Sequence, residues 1–165
     1  KQKGGGTISS SLFYKGEQMA KYIVRPATPD DHNLIYTLKV ESVRPYVEKI
    51  WGWDEIFQQN DFNSDFADVE HFSVIEIDGK FIGFMQCYFK SPYLDVAEIH
   101  LLSEHRGKGI GSDILLCLQN DCMIKKRKMR IGCFKENHRA KSLYQKLGFI
   151  QTEETDTHFI LQYPN

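Results

Sequence analysis

Apolar residues along the chain recur at two different spacings, and the order in which those spacings alternate predicts the fold. Tyr22 to Val24 reads as a short strand. Asp30 or Asp31 then caps a helix running to about Val43, with Leu34, Ile35, Leu38 and Val43 near one face. Trp51-Gly52-Trp53 leads into a second short helix. His71 to Ile77 and Lys80 to Phe89 are strand-like runs joined by Asp78-Gly79, a tight-turn pair, which together predict a hairpin. Ser91-Pro92 turns the chain again, and strand Tyr93 to Leu102 feeds a glycine-rich turn. A helix from Gly109 to about Lys126 and a strand from Met129 to Phe134 follow. Arg139 to Leu147 is helical, Gly148 stops it, and Phe149 to Thr152 pairs with His158 to Tyr163. The resulting order, βααβββαβαββ without repeats, predicts a mixed α/β sheet.

Composition narrows the class. Residues 1–18, with Gly4-Gly5-Gly6 and Ser9-Ser10-Ser11, read as a leader that is flexible or ordered by an interaction, and residues 19–165 as one domain. The 21 basic and 22 acidic side chains give a net charge of -1, which argues against nucleic-acid and membrane-surface partners. Lys125-Lys126-Arg127-Lys128 is basic, but it closes a predicted helix, where cations complement the dipole. Cys87, Cys117, Cys122 and Cys133 form no C-x-x-C pair, and no apolar run is long enough to span a membrane. A reduced, cytoplasmic protein is therefore expected. The six histidines include no compact ligand set, so no metal is expected.

Local chemistry concentrates at Arg106-Gly107-Lys108-Gly109-Ile110-Gly111. Glycines leave backbone N–H groups bare where a helix N-terminus already favours anions, so this turn suits a phosphate. It is neither G-x-x-x-x-G-K-[ST] nor G-x-G-x-x-G, which excludes a nucleotide-hydrolysing loop and a dinucleotide site of those types. Further on, Asn137-His138-Arg139-Ala140 precedes a short helix carrying Tyr144. Ala140, Leu143, Tyr144 and Leu147 share its inward face.

These two segments resemble the GNAT family of acetyl-CoA-dependent N-acetyltransferases. Arg106, Gly109 and Gly111 match its Arg/Gln-x-x-Gly-x-Gly/Ala motif, and Asn137 through Leu143-Tyr144 to Gly148-Phe149 matches its later signature. The likeness spans roughly residues 21 to 163, is strong from Glu98 to Phe149, and departs from the family at Ser103, where proline is common. It implies a mixed, mostly antiparallel central sheet flanked by helices, and direct acetyl transfer from acetyl-CoA to a primary amine in a ternary complex, without metal. By the same likeness, the CoA pyrophosphate would lie on the N–H groups of Gly107, Lys108, Gly109, Ile110, Gly111 and Ser112, with Arg106 nearby. The N–H of Leu101 or Leu102 would hold the thioester carbonyl, beside a slot opened by the diverging strand Met129 to Phe134. Tyr144 would serve the departing sulfur, Asn137 the pantetheine arm, and Arg139 or Lys141 the 3′-phosphate.

Alternation along the strand before the turn places Leu94, Val96, Glu98 and His100 on one face and Ala97, Ile99 and Leu101 on the other. Glu98 is the candidate general base, directly or through water; a structural ion pair or an acceptor-binding carboxylate would need the same residue. His100 is a second candidate. A carboxyl near 4.3 is a poor base for an ammonium near 10, so burial must raise it or water must relay. Tyr144, with a phenol near 10, suits hydrogen bonding to a thiolate better than acid catalysis of a thiol near 8.5. Tyr46, Trp51, Trp53 and Phe57 are expected around the acceptor together with Glu98, or simply over the core, with His158 a further candidate from the last strands. A small-molecule amine is the expected acceptor. A non-catalytic acyl-CoA sensor would share the phosphate turn, and the tendency of such domains to pair through their sheets leaves a homodimer open.

Overall fold

The first helix begins at a small ion cluster. In the computed structural model, which describes residues 22–163, strand β1 (Tyr22–Pro26) leads to Thr28, whose N–H and hydroxyl both donate to the Asp31 carboxylate. Arg25 grips the same carboxylate through two nitrogens, each at 2.8 Å. The leader expected at residues 1–18, and the domain start after it, lie outside the described residues.

Helix α1 (His32–Trp51) runs well past Val43. Pro45 disfavours helix at the residue before it and removes one N–H, at a cost of roughly 3 kcal/mol. Tertiary contacts override that signal: Val47 is buried, and Tyr46 and Trp51 pack on the ring of Phe134. Ile35 and Leu38 face the core, but Leu34 is half exposed and points outward. Gly52, at φ 79°, ends the helix, and Asp54 caps α2 (Glu55–Phe66) by accepting from the Phe57 N–H.

The strands that follow are β2 (Phe72–Ile77), β3 (Lys80–Lys90) and β4 (Tyr93–Leu101). Asp78 and Gly79 both take positive φ, as a two-residue hairpin turn requires. Helix α3 (Ile110–Ile124), β5 (Lys128–Phe134), α4 (His138–Lys146), β6 (Ile150–Glu154) and β7 (His158–Tyr163) complete the chain. One seven-stranded sheet results, ordered β1-β2-β3-β4-β5-β7-β6. It is antiparallel throughout except where β5 runs parallel to β4.

Each face of the sheet has its own core. Ile114, Leu115, Leu118 and Cys122 of α3, with Tyr144 of α4, pack on Val96, Met129, Ile131 and Leu161. On the other face Ile35 and Leu38 of α1 and Phe62 and Phe66 of α2 cover Phe72, Val74 and Phe84. Gln119 donates to the Leu147 carbonyl at 3.0 Å, tying α3 to the end of α4. Tyr22 donates to Asp113 at 2.7 Å, tying β1 to the first turn of α3. No described helix is long and apolar enough to cross a membrane.

Candidate active site

The turn before α3 is shaped by two left-handed glycines, Gly107 at φ 76° and Gly109 at φ 84°, a backbone that side chains with a Cβ rarely adopt. The Asp113 N–H makes a 3.0 Å bond to the Gly109 carbonyl. The earlier amides of Ile110, Gly111 and Ser112 therefore stand at the helix mouth without intrahelical acceptors. A Cβ built on Gly111 would meet nothing closer than Leu101 Cδ1 at 3.9 Å, so there is room for a side chain at that position. Arg139 reaches over from α4, its Nη2 3.5 Å from where a Gly107 Cβ would stand. Lys108 is exposed beside the turn, and Lys141 places its ammonium over the Phe159 ring at 3.5 Å.

Arg106 braces the turn. Its Nε donates to the Leu101 carbonyl at 2.6 Å, and its Nη2 lies 3.4 Å from Ser42 Oγ and 3.8 Å from Glu41 Oε1 on α1.

Next to the turn the sheet comes apart. β4 and β5 pair from Tyr93 and Lys128 only as far as Val96 and Ile131. Beyond that point Ala97 to Leu101 and Gly132 to Phe134 diverge and leave a gap. The cause is visible on the other side of β4, where Gln86 pairs with Glu98 but Cys87 pairs with Val96, so Ala97 is an extra, bulged residue. The bulge also corrects the expected alternation. Leu94 and Val96 face α3 together with Ile99 and Leu101, while Glu98 and His100 turn to the α1 side, so the four do not share a face.

The register also decides between the two candidate amides. Leu102 donates to the Ile82 carbonyl at 2.8 Å, so its N–H is spent, and the expectation for Leu102 is corrected. That bond makes Gly83 and Leu101 a non-hydrogen-bonded pair, whose N–H groups point away from each other. The Leu101 N–H consequently faces the gap. Gly83 permits this close approach, since a Cβ there would sit 2.3 Å from the His100 carbonyl oxygen.

On the α1 side of the gap lies a set of polar groups withdrawn from solvent. Lys39 Nζ approaches Glu98 Oε1 at 2.6 Å, with the two side chains only 12% and 17% exposed. His100 Nε2 stands 3.2 Å from Oε2 and pairs with it electrostatically, and that buried oxygen has no hydrogen bond of good geometry among the described residues. Burial pushes the Glu98 pKa up, but His100 and Lys39 together outweigh it and hold the carboxyl below its usual range. Asp65 of α2 is nearby and shifts the other way: burial raises it, reinforced by Asp61 and Glu98, against the pull of Lys39 and Gln86. Gln86, opposite Glu98 on β3, also donates to the Tyr88 hydroxyl.

From the opposite face α4 presents Tyr144, buried in the cluster that includes Cys133 and Phe149. Burial and the neighbouring Cys133 raise the pKa of its phenol. No hydrogen bond to its hydroxyl occurs among the described residues. Asn137 caps α4 by accepting from the Ala140 N–H at 3.0 Å, which leaves its Nδ2 donors uncommitted. The expected aromatic group is divided. Tyr46 stacks on Phe134 at 4.9 Å, Trp51 meets the same ring edge-on, and His158 covers it at 4.2 Å. Trp53 instead sits under Arg44 and bonds Glu55, and Phe57 is 61% exposed. At the vertex of the gap, Asp95, Ala97, Arg130, Gly132 and Ile160 line a depression of about 220 Å³.

Residues 34–149 match the model of the acetyltransferase (GNAT) family. The chain belongs to the GNAT acetyltransferase family. The solved structures similar to this GNAT chain include the PaiA N-acetyltransferase of Thermoplasma acidophilum in complex with coenzyme A. That match has TM-score 0.69 and 18% identity, covering 87% of this chain and 99% of the other. An N-acetyltransferase of Staphylococcus aureus Mu50 gives TM-score 0.68 at 18% identity, covering 84% and 98%. The ribosomal-protein-S18-alanine N-acetyltransferase of Escherichia coli gives 0.65 at 15%, covering 87% and 93%. No curated protein sequence matches significantly.

His158 falls outside the matched segment, but the residues expected at the site of this GNAT chain from Glu98 through Tyr144 fall inside it. Lys39, Asp65 and Gln86 fall there too, although the sequence reading missed them. Lys39 was detectable in principle as a cation on the stripe Ile35, Leu38, Ser42, and Gln86 as an amide within an apolar strand.

Proposed function

We propose that the chain transfers an acetyl group from acetyl-CoA to a small cationic amine, directly and within a ternary complex. The observation that carries this reading is a gap between β4 and β5, opening beside three uncommitted helix-mouth amides. The amides of Ile110, Gly111 and Ser112, with those of Gly107 to Gly109, receive the diphosphate, helped by the helix dipole and Arg139. Asn137 Nδ2 meets the pantetheine arm. The thioester then enters the gap, and the Leu101 N–H polarises its carbonyl as negative charge develops on the oxygen.

The amine arrives from the α1 side, where Glu98 and Asp65 supply negative charge. Its nitrogen forms the C–N bond as the C–S bond breaks. An anionic Glu98 held below its usual range cannot take a proton directly from an ammonium near 10, a transfer uphill by roughly 8 kcal/mol. It instead accepts a hydrogen bond, while one proton leaves the ammonium through water before attack and a second leaves the new amide nitrogen through water as the thiolate departs. Tyr144, with its raised pKa, donates a hydrogen bond to the departing thiolate rather than surrendering its proton.

A screen of amine acceptors that follows free thiol release from acetyl-CoA tests this. Release that falls at least roughly tenfold in Tyr144→Phe or Glu98→Gln is expected. CoA binding with no release above background for any amine would contradict it, and would indicate a non-catalytic acyl-CoA sensor.

A further inference from the structure

We infer that Lys39 is a positioning residue of the acceptor side, holding the Glu98 carboxylate by Oε1 and so fixing it beside the gap, with Oε2 turned to His100. This rests on the transfer reading above and assigns a role to a residue of α1 that lies outside both family motifs. Three observations carry it. Lys39 sits at an inward position of α1, between Leu38 and Ser42, where an apolar side chain would pack without any counter-ion. Its ammonium is 2.6 Å from Oε1, and both side chains are largely withdrawn from water. The remaining oxygen, Oε2, is buried 3.2 Å from His100 Nε2, with no hydrogen bond of good geometry among the described residues.

A buried ion pair is poor evidence for a stability role, because well-packed apolar residues in its place are often as stable or more so. What the pair does accomplish is geometric and electrostatic. Lys39 consumes Oε1, so the carboxylate cannot turn both oxygens to the substrate. Together with His100, its charge keeps Glu98 ionised in a setting that would otherwise protonate it. The groups that face Glu98 are Lys39 from α1, Asp65 from α2, Tyr88 from β3 and His100 on its own strand. Of these, Lys39 is the one lysine or arginine, while Asp65 opposes ionisation.

The test is a carboxyl NMR titration of Glu98 in the free protein, paired with the pH profile of kcat/KM. Lys39→Met should raise the Glu98 midpoint by roughly 1–3 pH units. The acid limb of the profile should move by the same amount, CoA affinity should stay unchanged, and Lys39→Arg should restore both. Should Lys39→Met fail to fold, Lys39→Gln, which keeps a donor but no charge, should move the midpoint the same way. A midpoint that stays in place in a folded, uncharged variant would overturn the assignment. So would recovery of Lys39 itself in acetylated form after turnover, since an amide nitrogen cannot hold a carboxylate by charge. The titration needs no acceptor. A midpoint that moves in a protein without turnover supports the role of Lys39 while defeating the transfer reading.

Discussion

Replacing Gly111 by alanine separates two reasons for a glycine at the mouth of α3. In the free protein an added Cβ would come no closer than 3.9 Å to Leu101 Cδ1, which is ordinary contact. Gly111 is also not one of the glycines with positive φ. The fold therefore does not require glycine there, and alanine at a helical position should add up to about 1 kcal/mol of stability. At this chain length that corresponds to a Tm increase of roughly 2–4 °C. The ligand experiences the opposite, because the methyl occupies the space through which a diphosphate must approach the amide. Losing one hydrogen bond to a charged group costs roughly 1.5–3 kcal/mol, or roughly 10- to 150-fold in Kd. Calorimetric titration with CoA, alongside thermal unfolding, reads both effects. Gly109→Ala is the contrast: at φ 84° it should lose roughly 1–2 kcal/mol of stability as well as affinity. A folded Gly111→Ala protein that binds CoA as tightly as the wild type would refute the reasoning.

Three further outcomes are expected. The Arg25 guanidinium beside Asp31 holds that carboxyl at about 2, against its usual 3.8. A depressed carboxyl stabilises the fold fully above its unfolded value, and that stability is lost as pH falls through about 4 toward 2. Denaturant melts across that range should show Asp31→Asn less stable by roughly 2 kcal/mol at neutral pH, the difference vanishing in acid. Gly83→Ala would set a Cβ 2.3 Å from the His100 carbonyl and 2.8 Å from Leu101 Cδ2. Parting β3 from β4 should cost roughly 1–3 kcal/mol in unfolding experiments, and it should lower kcat more than CoA affinity. Asn137→Asp keeps the capping oxygen but loses the amide donor, so melting should be unchanged while CoA titration shows weaker binding.

What could be read in the chain was what local chemistry dictates. The glycine turn, the Asp78-Gly79 hairpin and the strand–helix order follow from residues close together in sequence, and the fold agrees. The face assignment of β4 failed because Ala97 is bulged by pairing with β3, a register set by residues ten or more positions away. The same register decides that Leu102 spends its amide and Leu101 does not. α1 outran its proline because Phe134, far along the chain, offers rings to Tyr46 and Trp51. Lys39 went unrecognised because a lysine on an inward stripe gains meaning only once Glu98 is placed opposite it.

The most direct test of the account is a crystal structure of the protein with acetyl-CoA. The diphosphate oxygens should lie about 3 Å from the amides of Gly109 to Ser112, with the thioester oxygen at the Leu101 N–H and its carbon between Glu98 and Tyr144. A diphosphate bound anywhere else, or a thioester outside the gap between β4 and β5, would contradict it.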